Sequence, residues 1–261
     1  MALSGRQKDI MNRLYQENGE LSSADIKSFF NVTVQTIRKD LNELSQLGLV
    51  RRVHGGITLP SSIQNASFSN RTIMNLEAKQ NIARKVIELF PADTTIFLGI
   101  GTTPQQVAQA LLDHPGLTVA TNNLNVALTL CHNKNIVVHM AGGQVRINDQ
   151  DTMGQETIEF LRKFNIQYGV FGAGGLNRKG QILDFSTEER NVSRIIIDHS
   201  ETRVLVADRS KLDRYAPVIT GVLADIDFLV MDEIDPSIQK LCTDQGIETF
   251  EVGSRQVVNG A

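Results

Sequence analysis

Cysteine is scarce: Cys131 and Cys242 are the only two in 261 residues, far apart and in apolar-looking segments. They cannot support a disulfide framework or a thiolate metal cluster, and they fit a reducing cytoplasm. Long apolar runs are lacking as well. No stretch approaches the eighteen or more residues that a membrane helix needs, so no membrane partner is expected. Arg6, Lys8 and Asp9 interrupt the N-terminus before an apolar signal core forms, which excludes a signal peptide. Charge of one sign is not in excess either, since the net charge is −3. With 41% hydrophobic and 21% charged residues, the chain is globular in composition, not disordered, collagen-like or coiled-coil. Its length suits a large domain plus a small one.

A net charge of −3 argues at first against a nucleic-acid partner, but the average hides an asymmetry. Residues 1–60 carry eight Lys and Arg against six Asp and Glu, a surplus of +2, which leaves −5 for the rest. Three helices are predicted in this basic part. Ser4 caps the first, with Gln7 at the capping-box position. Its apolar stripe is Ile10, Met11 and Leu14, and Asn18-Gly19 stops it. The second follows Leu21, with Ser22 and Ser23 as caps and Ala24, Ile26, Phe29 and Phe30 as apolar surface. After a tight turn at Asn31-Val32, Thr33 caps the third, which runs to about Leu47 and stops at Gly48.

Val34, Ile37, Leu41 and Leu44 make one stripe of the third helix, while Thr33, Gln35, Thr36, Arg38 and Lys39 crowd the opposite face near its start. Two short helices, a tight turn and a helix with a polar, basic start form the helix-turn-helix plan, whose first turn reads base edges. Two β-like runs follow, Leu49–Val53 and Ile57–Leu59, around His54-Gly55-Gly56. They predict a hairpin wing that lays Arg51, Arg52 and His54 on the DNA backbone or minor groove. The bland alternative is a small helical domain with a solvated basic face. Agreement of helix count, turn, exposed Gln-Thr-x-Arg-Lys and basic hairpin outweighs it.

Val32–Leu44 and Leu49–Gly56 resemble the N-terminal signature of the DeoR family of bacterial transcriptional regulators: a Thr-Ile-Arg-Lys-Asp-Leu core, then a basic stretch and His-Gly-Gly. Asp40 belongs to that core. Its candidate partners are Arg38, Lys39 and the wing arginines, and the bland reading is an exposed acid.

Residues 60–70 are polar and serine-rich and read as linker or extended arm. Arg71–Phe90 then looks helical, with Ile82, Ala83, Val86 and Leu89 as its stripe and Pro91 at its close. From residue 94, β-like runs at Thr95–Leu98, Leu117–Ala120, Ile136–Met140, Tyr168–Phe171, Val204–Ala207, Phe228–Met231 and Ile247–Val252 alternate with helical stretches near 104–113, 124–131, 155–164, 187–199 and 236–244. This is the pattern of an α/β fold with a mostly parallel sheet, whose ligands bind beyond the strand C-termini. The domain division is 1–60 for the winged helix-turn-helix, 61–75 for a linker and 76–261 for the α/β part.

The loops after the β-like runs carry the candidate ligand site. Gly101, Thr102 and Thr103 outline a phosphate cradle at a helix N-terminus. They form neither a Walker loop nor a dinucleotide fingerprint, because no Gly-Lys-Ser/Thr and no third glycine follow. Thr121 and Asn122, Gly142 and Gly143 with Arg146 close behind, and Gly174 end three further runs, and Lys211 follows a fifth as a point charge for phosphate. Asp184 and Glu188 or Glu189 are candidate acceptors for sugar hydroxyls. One such loop alone is an ordinary βα turn, and Glu188, Glu189 and Arg190 read equally as a solvated first turn capped by Ser186 or Thr187. Five converging loops favour a small phosphorylated polyol.

Gly101–Leu117, Thr121–Leu130, Ala141–Arg146 and Ile182–Phe185 resemble the C-terminal sugar-phosphate sensor of the DeoR family, related in fold to ribose-5-phosphate isomerase and glucosamine-6-phosphate deaminase. The resemblance implies a repressor of operator DNA controlled by a phosphorylated sugar or polyol, glycerol-3-phosphate first, without cofactor or metal. One departure is Gly99, where the family usually carries an acidic residue. His114, His132, His139 and His199 show no metal spacing and none sits in a glycine-rich loop. Binding without turnover is therefore expected. The alternative is an isomerase or deaminase-type enzyme with an attached DNA-binding domain. A homodimer or homotetramer is expected, because a single winged helix covers too few base edges.

Overall fold

Ser4 and Gln7 start the first helix by the expected reciprocal pair: the Ser4 amide donates to Gln7 Oε1 at 2.9 Å and the Gln7 amide to Ser4 Oγ at 3.2 Å. The computed structural model describes residues 3–16, 20–30, 32–47, 49–58 and 68–253. The stops at Asn18-Gly19 and Gly48, the turn residue Asn31, the strand end Leu59 and the linker residues 60–67 lie outside the described residues. The chain folds as two compact units that divide between Asn75 and Leu76.

The first unit runs α1 (Gly5–Gln16), β1 (Glu20–Ser22), α2 (Ser23–Phe30), α3 (Val34–Gln46), β2 (Arg51–Val53), β3 (Gly56–Thr58) and α4 (Phe68–Ile73). Ile10, Met11 and Leu14 of α1, Ile26 of α2 and Ile37, Leu41 and Leu44 of α3 meet in one core closed by Leu49, Val50 and Ile57. Val34 departs from its expected place in the stripe. It sits in the first turn of α3 and is 46% exposed, and Phe29 is likewise exposed on α2. The strand β1 was not foreseen. It pairs antiparallel with β3 and makes a sheet in the order β1-β3-β2. Close pairing explains Gly56, where a Cβ would stand 2.3 Å from the Leu21 carbonyl oxygen.

The helix expected over 71–90 is interrupted. α4 ends at Ile73, Asn75 adopts φ +50°, and α5 (Leu76–Ile87) begins anew. Asparagine tolerates that left-handed conformation better than most residues. Ile73 and Met74 pack on the core of the first unit, so part of the segment read as linker belongs to its fold.

In the second unit, β4 (Thr94–Leu98), β5 (Leu117–Thr121), β6 (Ile136–Met140), β9 (Ile166–Phe171), β12 (Ser200–Ala207), β14 (Phe228–Met231) and β15 (Glu248–Glu251) form a seven-stranded sheet. Its order is β15-β14-β12-β9-β4-β5-β6 and every pair is parallel. Alternation along the strands splits the core in two. Ile96 and Leu98 face α5, α6 (Thr102–Ala110) and α7 (Leu124–Leu130), whereas Phe97 and Phe171 face α8 (Gln155–Leu161), α9 (Thr187–His199) and α10 (Pro236–Asp244). Each such large side chain contributes roughly 1.5–3 kcal/mol by leaving water.

The chain winds outward from β4 through β5 to β6, and from β9 through β12 and β14 to β15 in the other direction. The order therefore reverses between β4 and β9. Such a reversal opens a crevice at the strand C-termini. Two small antiparallel sheets unseen in the sequence rise on that side: β7 (Gln144–Arg146) with β8 (Asp151–Met153), and β10 (Gly175–Leu176), β11 (Gln181–Asp184) and β13 (Val218–Val222).

Candidate nucleic-acid interface and effector site

Thr33 closes the N-terminus of α3, its hydroxyl accepting from the Thr36 amide at 3.2 Å and sharing a hydrogen bond with Thr36 Oγ1 at 2.9 Å. That cap turns the next residues outward. Gln35, Arg38 and Lys39 are exposed, and among the described residues the side chains of Gln35 and Arg38 have no hydrogen-bond or ion-pair partner. The expected partners of Asp40 are replaced. Asp40 is buried and takes Arg6, with Nε at 2.6 Å from Oδ2 and Nη2 at 3.3 Å from Oδ1. One helical turn on, Gln7 Nε2 donates to Glu43 Oε2 at 2.6 Å. These two bonds fix α3 to α1 by its inner face and leave Arg38 and Lys39 free of Asp40.

In the wing, Arg51 pairs with Thr58 and Val53 with Gly56, leaving a two-residue turn at His54-Gly55 with Gly55 at φ +86°. Arg51, Arg52 and His54 are all exposed. Arg52 Nη1 donates to Asn42 Oδ1 at 3.0 Å, which ties the wing to α3. One unit thus presents six polar or cationic side chains on a helix start and a hairpin braced together.

In the other unit, Gly101 (φ +109°) caps α6 after β4, and Gly174 lies in the loop after β9, so these two flank the crevice. Thr102 and Thr103 are 5% and 6% exposed, yet neither hydroxyl has a hydrogen-bond partner among the described residues. Gln105 Oε1 and Asn122 Oδ1 are buried and unpartnered as well. Unpartnered polar groups at the start of α6 and after β5 call for a polar occupant. Gly99 has a packing reason. A Cβ there would lie 3.2 Å from the Val170 carbonyl oxygen and 3.4 Å from Ile196 Cδ1.

Most of the other expected ligands have partners within the framework. Thr121 donates its hydroxyl to the Leu98 carbonyl at 2.6 Å and accepts from the Asn123 amide at 3.0 Å, so it staples β4 to β5. Asn122 Nδ2 donates to the Thr152 carbonyl at 2.8 Å. The Gly142 carbonyl accepts from Thr157 Oγ1 at 2.7 Å, and Gly143 (φ +134°) passes so near β8 that a Cβ would stand 2.5 Å from the Met153 carbonyl oxygen. The Gly174 amide donates to Asp184 Oδ1 at 3.2 Å. Lys211 is half-buried in the turn after β12. Glu188 is exposed on the first turn of α9, and Glu189 is the inward-facing acid.

The sequence reading missed Asn123, Asp151 and Glu189 as a set and noted Arg146 only in passing. Asn123 Nδ2 donates to the carbonyls of Gly101 at 3.1 Å and Gly99 at 3.3 Å, and Asn123 bridges Asp151. Arg146 grips Asp151 with two bonds, Nε to Oδ1 at 2.8 Å and Nη2 to Oδ2 at 2.6 Å, and reaches Glu189 Oε1 with Nη1 at 2.8 Å. Glu189 Oε2 accepts from the Phe185 amide at 3.0 Å, next to Asp184. Hydrogen bonds and chain neighbours therefore run from Gly101 through Asn123, Asp151, Arg146, Glu189 and Asp184 to Gly174, linking both sides of the crevice. The only clue available was the density of polar residues in these loops, since partners 43 positions apart leave no periodic signal.

Burial disfavours the charge of Arg146, but hydrogen bonds and charges of Asp151 and Glu189 outweigh it and hold the guanidinium above its ordinary pKa. Burial also pushes Asp151 up. Asp184, 4% exposed, is pushed to about 6 by burial and by the charge of Glu189, against hydrogen bonds from Thr220, Ser193 and Gly174. An acid whose pKa rises on folding stabilises the fold most below its unfolded value near 4, and that contribution is lost as pH rises through 6. The loss is roughly 1.4 kcal/mol per pH unit across that window. Asp184→Asn removes this titration. Thermal melts between pH 4 and 7 should fall less with rising pH for the variant than for the parent, and parallel curves would contradict the assignment.

Comparison with known proteins matches residues 6–63 to the DeoR-like helix-turn-helix domain and residues 74–233 to the DeoR C-terminal sensor domain. The chain is 39% identical to the glycerol-3-phosphate regulon repressor of Escherichia coli (strain K12), over 90% of this chain and 94% of that one. It is 38% identical to the repressor of the same name from Haemophilus influenzae (strain ATCC 51907 / DSM 11121 / KW20 / Rd), over 89% of this chain and 91% of that one. The HTH-type transcriptional repressor CsqR of Escherichia coli (strain K12) shares 34% identity over 89% of each chain. Among solved structures, a D-ribose-5-phosphate isomerase in complex with phospho-erythronic acid aligns with 58% of this chain and 56% of its own at TM-score 0.41 and 16% identity. With both domain models matched in order along one chain, and with such relatives along nearly its whole length, the protein belongs to the DeoR family: a DNA-binding helix-turn-helix unit followed by an α/β sensor.

Proposed function

We propose that the chain is a cytoplasmic transcriptional repressor that binds operator DNA as a homodimer or homotetramer and is released by a phosphorylated polyol, glycerol-3-phosphate. The observation that carries the DNA-binding half is the exposed, unpartnered pair Gln35 and Arg38 at the capped start of α3, beside a wing bearing Arg51, Arg52 and His54. In this reading α3 enters the major groove with Thr33, Gln35, Thr36 and Arg38 toward base edges. Lys39 and the wing cations meet phosphates. A lone winged helix touches too few base pairs for tight binding at cellular salt, so operator recognition needs a second copy.

The effector half rests on the unpartnered hydroxyls of the buried residues Thr102 and Thr103 at the N-terminus of α6, beside the strand-order reversal. Together with Gly101, the α6 amides and Lys211 they suit a phosphate, while Asp184 and Glu189 suit hydroxyls. The domain division of the proposal is 1–60 for the operator-binding head, 61–75 for the connection and 76–261 for the sensor, with the α4–α5 break at Asn75 as the joint. The effector must bind one arrangement of the heads better than the other, or it shifts nothing.

No proton transfer is assigned to the site. Gly99 offers no carboxylate, and His114 is engaged with the Phe90 carbonyl at 3.2 Å and the Gly116 amide at 3.3 Å. A DNA-shift assay tests the reading. Glycerol-3-phosphate should release operator DNA at a concentration at least about tenfold below any effect of glycerol, a gap of about 1.4 kcal/mol, and should be recovered unchanged. Equal action of both compounds would refute the phosphate cradle. Recovery of an isomerised or deaminated product from a sugar phosphate would favour the enzyme alternative.

A further inference from the structure

Beside the proposed phosphate cradle lies a group of buried acids short of positive charge. Asp151, Asp184 and Glu189 are each at most 4% exposed. Arg146 is the cation that Asp151 and Glu189 share, and Asp184 is held by neutral donors alone: Thr220 Oγ1 at 2.6 Å, Ser193 Oγ at 3.1 Å and the Gly174 amide at 3.2 Å. Asp149 Oδ2 adds a fourth carboxylate 3.6 Å from Arg146 Nη1. Asp151 abuts the crevice through Asn123, which holds the Gly101 carbonyl, and Asp184 abuts it through Gly174.

The charge balance decides what this group accepts. A lone arginine at a rim attracts phosphate, but the carboxylates of Asp149, Asp151 and Glu189 over-neutralise this one, so its surroundings repel a further anion. Hydrogen bonding is still on offer. Three of the guanidinium's five N–H groups are used in hydrogen bonds, Nη1 also lies 3.6 Å from Asp149, and the second N–H of Nη2 remains to donate. The carboxylate oxygens accept from hydroxyls. Beside it, Asn122 Oδ1 is buried and unpartnered.

We propose that Arg146, Asp151 and Glu189 form the far end of the effector site and select a phosphorylated ligand whose opposite end carries neutral hydroxyls over one whose opposite end carries a second negative charge. This rests on the reading that the crevice takes a phosphorylated polyol. It makes Arg146 and Glu189 determinants of specificity, and it separates the ligand's two ends: phosphate at Gly101, Thr102 and Thr103, hydroxyls at the acid cluster.

The test compares glycerol-3-phosphate with 3-phosphoglycerate, which carries a carboxylate in place of the terminal CH2OH. Calorimetry on the full chain should show 3-phosphoglycerate binding at least about tenfold more weakly, or about 1.4 kcal/mol. Glu189→Gln keeps an acceptor for the Phe185 amide and removes one charge, so the ratio between the two ligands should shrink. Asp151→Asn should act likewise, which covers the case that one variant fails to fold. Arg146→Gln removes the cation and should widen the ratio. Opposite movement in the two kinds of variant is a result that loss of packing does not produce. Equal affinities in the parent chain, or a ratio that stays put or moves the same way in all variants, would overturn the proposal. If the parent binds neither ligand, the phosphorylated-polyol reading fails first and takes this one with it.

Discussion

Arg38→Ala is expected to weaken operator binding by about 1–3 kcal/mol, roughly five- to 150-fold at fixed salt, if Arg38 reads a base with both ends of its fork. The structure leaves this side chain exposed and unpartnered, because Asp40, two positions on, turns inward to Arg6. The variant should not unfold the head, since the core side of α3 consists of Ile37, Leu41 and Leu44. Base reading and phosphate contact are distinguishable. Loss of a base contact relaxes sequence preference at one operator position, whereas loss of a phosphate contact weakens all sequences alike and reduces the salt slope by about one. Fluorescence anisotropy with operator and scrambled duplexes at several salt concentrations separates the two. Unchanged affinity for both duplexes would remove α3 from the DNA interface.

Lys211→Ala should leave operator affinity within about twofold of the parent while abolishing release by glycerol-3-phosphate, because Lys211 is assigned to phosphate and lies in the sensor unit. A charge-assisted bond to phosphate is about twice as strong as a neutral one, so its loss outweighs that of any single hydroxyl. Thr102→Val, nearly isosteric, should therefore weaken release only in part, by about 0.5–1.5 kcal/mol. The order matters: a larger loss for Thr102→Val than for Lys211→Ala would relocate the phosphate. Release of DNA from Lys211→Ala at the parent's effector concentration would show that the proposed site is wrong. A loss of operator affinity in Lys211→Ala would point instead to a folding defect.

Helices were legible wherever a cap met a 3.6-residue stripe. Ser4 with Gln7 and Thr33 with Thr36 behave as their spacing demands, and α9 and α10 begin and end where read. The five inner parallel strands, β4, β5, β9, β12 and β14, were legible as apolar runs because most of their residues are buried on both faces; the edge strands β6 and β15 are only partly buried. The short antiparallel strands outside that sheet and the wing were not. β1, β7, β8, β10, β11 and β13 are too short for a periodic pattern, and β1 and β13 exist only because a strand distant in sequence pairs with them. The long helix over 71–90 failed for a local reason of another kind: its apolar spacing carries no mark of the left-handed turn at Asn75.

Local chemistry was sufficient to set the helix caps, the alternation of strands and helices, the basic face of α3 and the loops at which a ligand would arrive. Each of those follows from residues within a few positions of one another. Partners for the charges came from elsewhere in the fold. Asp40 chose Arg6, 34 residues away, over the arginines beside it, because α1 packs against the inner face of α3 and leaves that carboxylate no route to solvent. Arg146 joined Asp151 to Glu189, 43 residues on, because β8 runs beside the end of β5 while α9 starts above the end of β9. The crevice itself depends on β4 and β9 being neighbours, which alternation cannot encode: it states which residues lie in strands but not which strands touch.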